Sequence, residues 1–202
     1  MGYDWSGLLE KAKKVEVRFA RDCDEFIREA KRNEDIYQHW DVKVKIKEEI
    51  MNVDVKGLKR LKRNEPLDES IQWIEIKRGK TLEKKHLGWL YGDADYFSFE
   101  MDEKWVVVDR KSLQDFVAKN TIKEYKNVPT LYHLYKRPNK YTNMDDVLTL
   151  VETEKLIEIA KYIVDKKHIV EHLKMELDQA TKNENYELAS QIKKEIDKYP
   201  NI

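Results

Sequence analysis

The chain has 202 residues, 41% apolar and 39% charged, with 39 basic residues balanced by 39 acidic ones. That length and apolar share suffice for a packed core plus an appendage, and the charge balance excludes a whole-molecule positive field, so any nucleic-acid binding must be local. A single cysteine, Cys23, excludes a disulfide framework and a cysteine-based zinc site, and no apolar run approaches the ~20 residues of a membrane helix.

Met1 to Glu10 carries no basic segment followed by an apolar stretch, so no secretory leader is expected and the location reads as cytoplasmic. Residues 5–32 hold no proline, and Leu8, Leu9, Ala12, Val15, Phe19, Phe26 and Ile27 fall near helical spacing. This predicts one helix, or two broken near Asp22 to Asp24. A period-two pattern follows: Asp41-Val42-Lys43-Val44-Lys45-Ile46-Lys47 alternates strictly, and Val53-Asp54-Val55-Lys56 resumes the alternation. Further strands are predicted over Ile71 to Lys77, Tyr96 to Met101 and Lys104 to Val108, then a helix over Lys111 to Lys119. The stretch from Val128 to Met144, with Pro129, Pro138, Asn139 and Asn143, reads as irregular. From Asp145 or Asp146 onward the chain reads as helical behind an acidic cap. Beyond Lys166 the pattern is a helical hairpin: Leu173, Leu177 and Ala180 form one stripe, Asn183-Glu184-Asn185 the turn, and Ala189, Ile192 and Ile196 the other. The expected fold is α/β, with a domain over residues 1–125, a connector over 126–145, and a helical region over 146–202 whose hairpin spans about 166–198.

A hairpin centred between Lys47 and Glu48 sets Asp41 opposite Asp54. Opposed residues, and residues two apart on a strand, point to the same side. Asp41, Asp54 and Lys56 then share one face, while Val42, Val44, Met51, Val53 and Val55 cover the other. A one-residue slip would undo this. Lys-Glu is poor chemistry for a two-residue turn, so a four-residue loop with the same centre is expected. Two opposed aspartates repel unless a cation sits between them, and their oxygens suit Mg²⁺ or Mn²⁺. Such an ion polarises a phosphodiester and acidifies an attacking water. A lysine two residues along can orient that water or stabilise charge on the phosphate. The plainer alternative is an exposed sheet face of alternating charge.

Lys56 to Arg63 holds five basic residues in eight and no acid. Lys59, Arg60, Lys62 and Arg63 are therefore candidates for salt-dependent contact with phosphates. Lys77, Arg78, Lys80, Lys84 and Lys85 could extend that surface. Trp89 and Tyr91 either stack on bases or belong to the core. Asp93 and Asp95 either bind near the site or hold a loop. His168 and His172 lack the intervening glutamate of a zinc-hydrolase helix and read as a solvated face.

An acidic residue on one strand, a short hairpin and Asp-x-Lys on the next resembles the PD-(D/E)XK nuclease superfamily. The gap of thirteen from Asp41 to Asp54 is similar to that of its archaeal Holliday-junction resolvases. Val53-Asp54-Val55-Lys56-Gly57, Trp73 to Lys77 and Gly88 to Tyr96 resemble phage and bacterial proteins assigned to the same superfamily. The resemblance covers residues 5 to about 119. It implies a restriction-endonuclease-like core and a divalent-metal-dependent endo- or exonuclease acting on DNA, or on RNA. Mg²⁺ or Mn²⁺ would be held by Asp41 and Asp54, with Lys56 assisting the water. Many members add a glutamate from the first helix. Glu16, in Val15-Glu16-Val17-Arg18, matches it or is a solvated helix position. The proline that often precedes the first acid is absent. Glu75-Ile76-Lys77 is a second Glu-x-Lys, so Glu75 is either an accessory metal ligand or the outer face of its strand.

Leu177-Asp178-Gln179-Ala180 followed by Asn185 to Ile196 resembles the UVR helical hairpin of bacterial excision-repair proteins. That implies protein contact, through a second copy of the chain or another partner, with packing on the main domain as the alternative. Two functional readings result. One is a metal-dependent nuclease with an interaction tail; the other is an inactive nuclease-fold adaptor that binds nucleic acid and a protein partner.

Overall fold

The two alternating segments form the hairpin that their pattern dictates. β2 (Val42–Ile46) and β3 (Glu49–Lys56) pair antiparallel, with Val42 opposite Val53 and Ile46 opposite Glu49. The register is centred between Lys47 and Glu48 as expected, but these two residues alone make the turn, in place of a four-residue loop. Lys47 adopts φ 54°, a conformation costly for a side-chain-bearing residue. Its amide donates to the Asp24 carboxylate, which holds the tight turn from outside the hairpin. The structure, a computed structural model, describes residues 5–61, 64–78, 87–138, 145–166 and 169–196.

α1 (Trp5–Asp22) buries Phe19 and Ala20, with Cys23 just beyond its end, against Val42, Val44, Ile46, Met51, Val53 and Val55. Phe19 also meets Trp105 edge-on, with ring centroids 5.3 Å apart. The helical reading fails after Asp22. Glu25–Glu29 forms β1, antiparallel to β2, and α2 (Arg32–Gln38) follows it. The free backbone edge of β2 supplies partners that override the helical spacing of Phe26 and Ile27.

β3 pairs in parallel with β5 (Tyr96–Glu100), setting Asp54 beside Phe97 and Lys56 beside Phe99. β5 turns through Met101 to Lys104 into antiparallel β6 (Lys104–Asp109), then α3 (Arg110–Asn120), whose first turn is capped by the Asp109 carboxylate. With β10 (Tyr162–Asp165) they complete a six-stranded mixed sheet in the order β1-β2-β3-β5-β6-β10. Valines and aromatics bury β5 and β6 on both faces, a pattern that requires a layer on each side.

That second layer corrects the expected organisation. Ile71–Lys77 forms β4, but outside the sheet of Asp41 and Asp54. It joins β7 (Ile122–Lys126), β8 (His133–Pro138) and β9 (Asp145–Glu152) in a four-stranded sheet of order β4-β9-β8-β7. The expected irregular connector thus contains a strand, and the region read as helical from Asp145 begins with β9, then α4 (Thr153–Glu158) and β10. Because β9 pairs with β4, residues on both sides of the expected boundary at 125 share one compact unit, Met1–Val164. Ile74 and Val151 of the second sheet pack with Phe97, Phe99, Leu113 and Leu156 on the face of the first sheet opposite α1.

The second unit, Asp165–Ile202, contains the expected hairpin of α5 (Ile169–Lys182) and α6 (Tyr186–Ile196). Leu173, Ala180 and Ile192 are buried, with Leu177, Ala189 and Ile196 packed on them. Asn185 caps α6 through Leu188 N at 3.2 Å. No helix among the described residues is long and apolar enough to cross a membrane.

Phe19 is 0% exposed and Tyr37 is 77% exposed. In urea unfolding, Phe19→Ala is expected to lose about 3–5 kcal/mol by opening a cavity between α1 and the sheet. Tyr37→Ala should stay within roughly 0.5 kcal/mol of the parent.

Candidate functional site

Asp54, near the end of β3, points away from the valines that pack on α1, and Asp41, just before β2, lies close enough to act on its charge. Asp41 N donates to Val53 O at 2.9 Å, one residue out of the register, so the regular ladder ends at Val42 and Val53 and Asp41 does not pair with Asp54 as expected. Asp54 is 3% exposed. One of its oxygens, Oδ1, meets the Lys56 ammonium at 2.5 Å, while Oδ2 is buried without a hydrogen-bond partner. An ionised carboxylate oxygen in that state is costly unless something binds it. Asp41 spends Oδ2 on Val55 N at 2.7 Å. Burial pushes the Asp41 carboxyl well above its ordinary value, the Asp54 charge pushes further, and Lys56 only partly offsets them.

The Lys56 ammonium lies 4.4 Å from the centre of the Trp89 ring, a cation–π contact that fixes its direction. Trp89 also packs on Phe97 at 4.9 Å, so this residue is both core and site wall. Its approach depends on Gly88, whose amide donates to Ile76 O at 2.9 Å and where a Cβ would collide with the Glu75 backbone.

Behind β3, Glu100 is 4% exposed and ties three segments together. Oε1 accepts from Arg18 of α1 at 2.8 Å, and Oε2 accepts from Leu58 N at 3.2 Å. A Cβ on Gly57 would lie 3.1 Å from Val15, so glycine lets the chain leave Lys56 close against α1. Sequence reasoning missed Glu100; a lone acid ending an aromatic strand gives little signal.

Glu16 on α1 carries a raised carboxyl, through burial first and Asp35 second, with Asp54 a smaller contributor; it in turn raises Asp41. Glu75 stands on the second sheet, where Arg137 Nη2 lies 3.5 Å from its carboxylate. Burial, then Asp146, raises it, while Arg78, Lys56 and Arg137 pull it down. Among the described residues, no three of His, Cys, Asp and Glu form a group able to hold a metal ion. Glu16 acts on the charges of Asp41 and Asp54, and Glu75 feels the charge of Lys56, so both carboxylates stand within electrostatic reach of the pair, whose own oxygens could serve a divalent cation.

Of the basic candidates, Lys59 and Arg60 are exposed on a segment running from Lys56 to the second sheet. The Lys59 backbone forms an isolated antiparallel β-bridge with Asp68, and Arg60 O accepts from the Trp73 indole at 3.3 Å. Lys77 ends β4, exposed, with Arg78 half-buried behind it. Lys62, Arg63, Lys80, Lys84, Lys85 and His168 lie outside the described residues. Asp95 holds a loop, accepting from Asn52 N at 2.9 Å. Comparison of the chain with protein-family models, curated proteins and solved structures gives no match.

The raised Asp41 carboxyl has a consequence for stability. Folded Asp41 keeps its proton to higher pH than the unfolded chain does, so its contribution to stability falls as pH rises through and above the ordinary carboxylate range. Asp41→Asn can still accept from Val55 N and removes that fall. Urea melts should show no gain below the carboxylate range and a gain of roughly 1–2 kcal/mol near pH ~8. Equal stability at both pH values would mean that Asp41 is not strained.

Proposed function

We propose that this chain is a divalent-metal-dependent nuclease hydrolysing phosphodiester bonds in DNA, or in RNA, with Asp41, Asp54 and Lys56 at its centre. The observation that carries the reading is the unpartnered, buried Oδ2 of Asp54, close enough to Asp41 for the two charges to interact. Mg²⁺ or Mn²⁺ is the cation the reading assigns to the pair, and it would supply polarisation of the phosphodiester and a more acidic water. On this reading α1 and strands β1, β2, β3 and β5 correspond to a restriction-endonuclease-like core.

The chain's own groups divide the remaining work. Asp54 and Asp41 place negative charge where the cation is needed, and their mutual repulsion is the source of its affinity. Lys56, aimed by Trp89, orients the attacking water or steadies the charge gathering on the phosphate. Glu100, through Leu58 N and Arg18, positions the chain leaving Lys56 relative to α1. The second unit is read as a protein-contact element, since Tyr186 and Leu188 are exposed at the start of α6. A monomer by light scattering at high concentration would remove a second copy as its partner.

Labelled single-stranded, double-stranded and branched DNA, and RNA, incubated with Mg²⁺ or Mn²⁺ should be cut, and chelation should stop the reaction. Asp54→Asn and Lys56→Gln are each expected to lower the rate by about 100-fold or more. Glu16→Gln and Glu75→Gln, outside the pair, should cost less. Intact substrates with salt-sensitive binding would instead favour a nuclease-fold adaptor.

A further inference from the structure

Arg137 belongs to a stretch whose sequence gave no functional signal. It lies on β8, paired with Asp146 on β9, and its guanidinium reaches the Asp146 carboxylate through Nη2 at 2.7 Å and Nε at 3.3 Å. Glu75 of β4 approaches the same Nη2 at 3.5 Å. Asp146 and Glu75 are largely buried, but the Arg137 side chain is 53% exposed. Its Nη1 makes no hydrogen bond among the described residues, which leaves donors of this half-exposed planar group for a ligand.

The basic segment leaving the candidate site comes to the same face. Arg60 O accepts from Trp73 on β4, and the Trp73 ring packs on Tyr135 of β8 at 5.8 Å. Tyr135 is two residues from Arg137 and Trp73 two from Glu75, so the cross-strand rows put all four on one side of the second sheet. Lys59 is an exposed residue with no ion pair among the described residues. Desolvation nevertheless holds its ammonium below its ordinary value, Lys56 and then Arg137 lower it further, and Asp54 and Glu100 oppose them. Cations from β3, the segment after it and β8 thus repel one another beside Asp54. A bound anion would relieve that repulsion.

The geometry points to a phosphate-binding subsite formed by Lys59 and Arg137, which grips a backbone phosphate of the nucleic acid next to the one at Asp41, Asp54 and Lys56. This rests on the nuclease reading for the identity of the polymer. The grip itself needs no metal, because both groups are fixed cations. Arg137 is pre-set by its buried carboxylates, so little side-chain freedom is lost on binding. It links the second sheet to the substrate and gives the basic segment a defined partner across the site.

The test is fluorescence anisotropy of a labelled DNA duplex, titrated in chelator at several salt concentrations so that nothing is cut. Each cation removed from a phosphate should lower the slope of log affinity against log salt by about 0.9. Lys59→Gln and Arg137→Gln are each expected to show that fall, and Lys119→Gln on α3 is expected to show none. Arg137→Lys keeps the charge beside Asp146 and Glu75, and should weaken binding at an unchanged slope. It also serves if Arg137→Gln fails to melt as a folded protein. Wild-type slopes in both Lys59→Gln and Arg137→Lys, with wild-type affinity, would overturn the subsite, as would absence of binding by the parent. Metal-dependent cleavage assayed in parallel separates the two ideas. Cleavage with unchanged slopes removes the subsite alone, whereas lowered slopes without any cleavage uphold the subsite and remove the nuclease.

Discussion

The register of one hairpin governs the arrangement of this protein. Val42 opposite Val53 turns six apolar side chains toward α1, the same alternation turns Asp54 toward the other side, and Asp41, just before the strand, is tied beside it through Val55 N. A shift of one residue would bury lysines against Phe19 and separate the acids. Each fully buried valine or phenylalanine contributes about 1.5–3 kcal/mol. The apolar face thus holds the two carboxylates in a proximity that they would not adopt by themselves. The tight Lys47–Glu48 turn, braced by Asp24, follows from the same register.

Around that hairpin, several charges find direct partners, while Asp54 is left with one oxygen unpartnered. Arg28 and Glu34 pair at 2.8 Å, and Tyr96 and Tyr162 both donate to Glu49. Asp54, by contrast, has one oxygen on Lys56 and one on nothing, beside an aspartate whose ionisation is disfavoured. On the proposed reading, the unpartnered Asp54 oxygen is the position at which a ligand binds. Trp89, Gly88 and Glu100 hold the surrounding backbone and the lysine in place, so the strain stays local.

The strongest periodicities were legible in the sequence. The alternation over Asp41 to Lys56 yielded both strands and their register, and the stripes at Leu173 and Ile192 yielded the terminal hairpin. β9 was misread because Val147 to Val151 is buried on both faces, and such a run does not distinguish a central strand from a buried helix. β1 was misread because its pairing with β2 outweighs its own spacing. The first error hid the second sheet, and with it the setting of Glu75 and Arg137; the second hid the outer strand of the first sheet. Asp41, Asp54 and Lys56 could be grouped from sequence because they are near in the chain. Arg137 lies eighty-one residues beyond Lys56, and no local pattern reports that approach.

The most direct test of the account is Mn²⁺ binding by calorimetry, which requires no substrate and no turnover. The account predicts binding that is lost in Asp54→Asn, strongly weakened in Asp41→Asn, and retained in Glu124→Gln on the second sheet. Undiminished binding when Asp41 and Asp54 are both replaced, or no Mn²⁺ binding by the parent protein, would contradict the claim that the hairpin register builds a metal site.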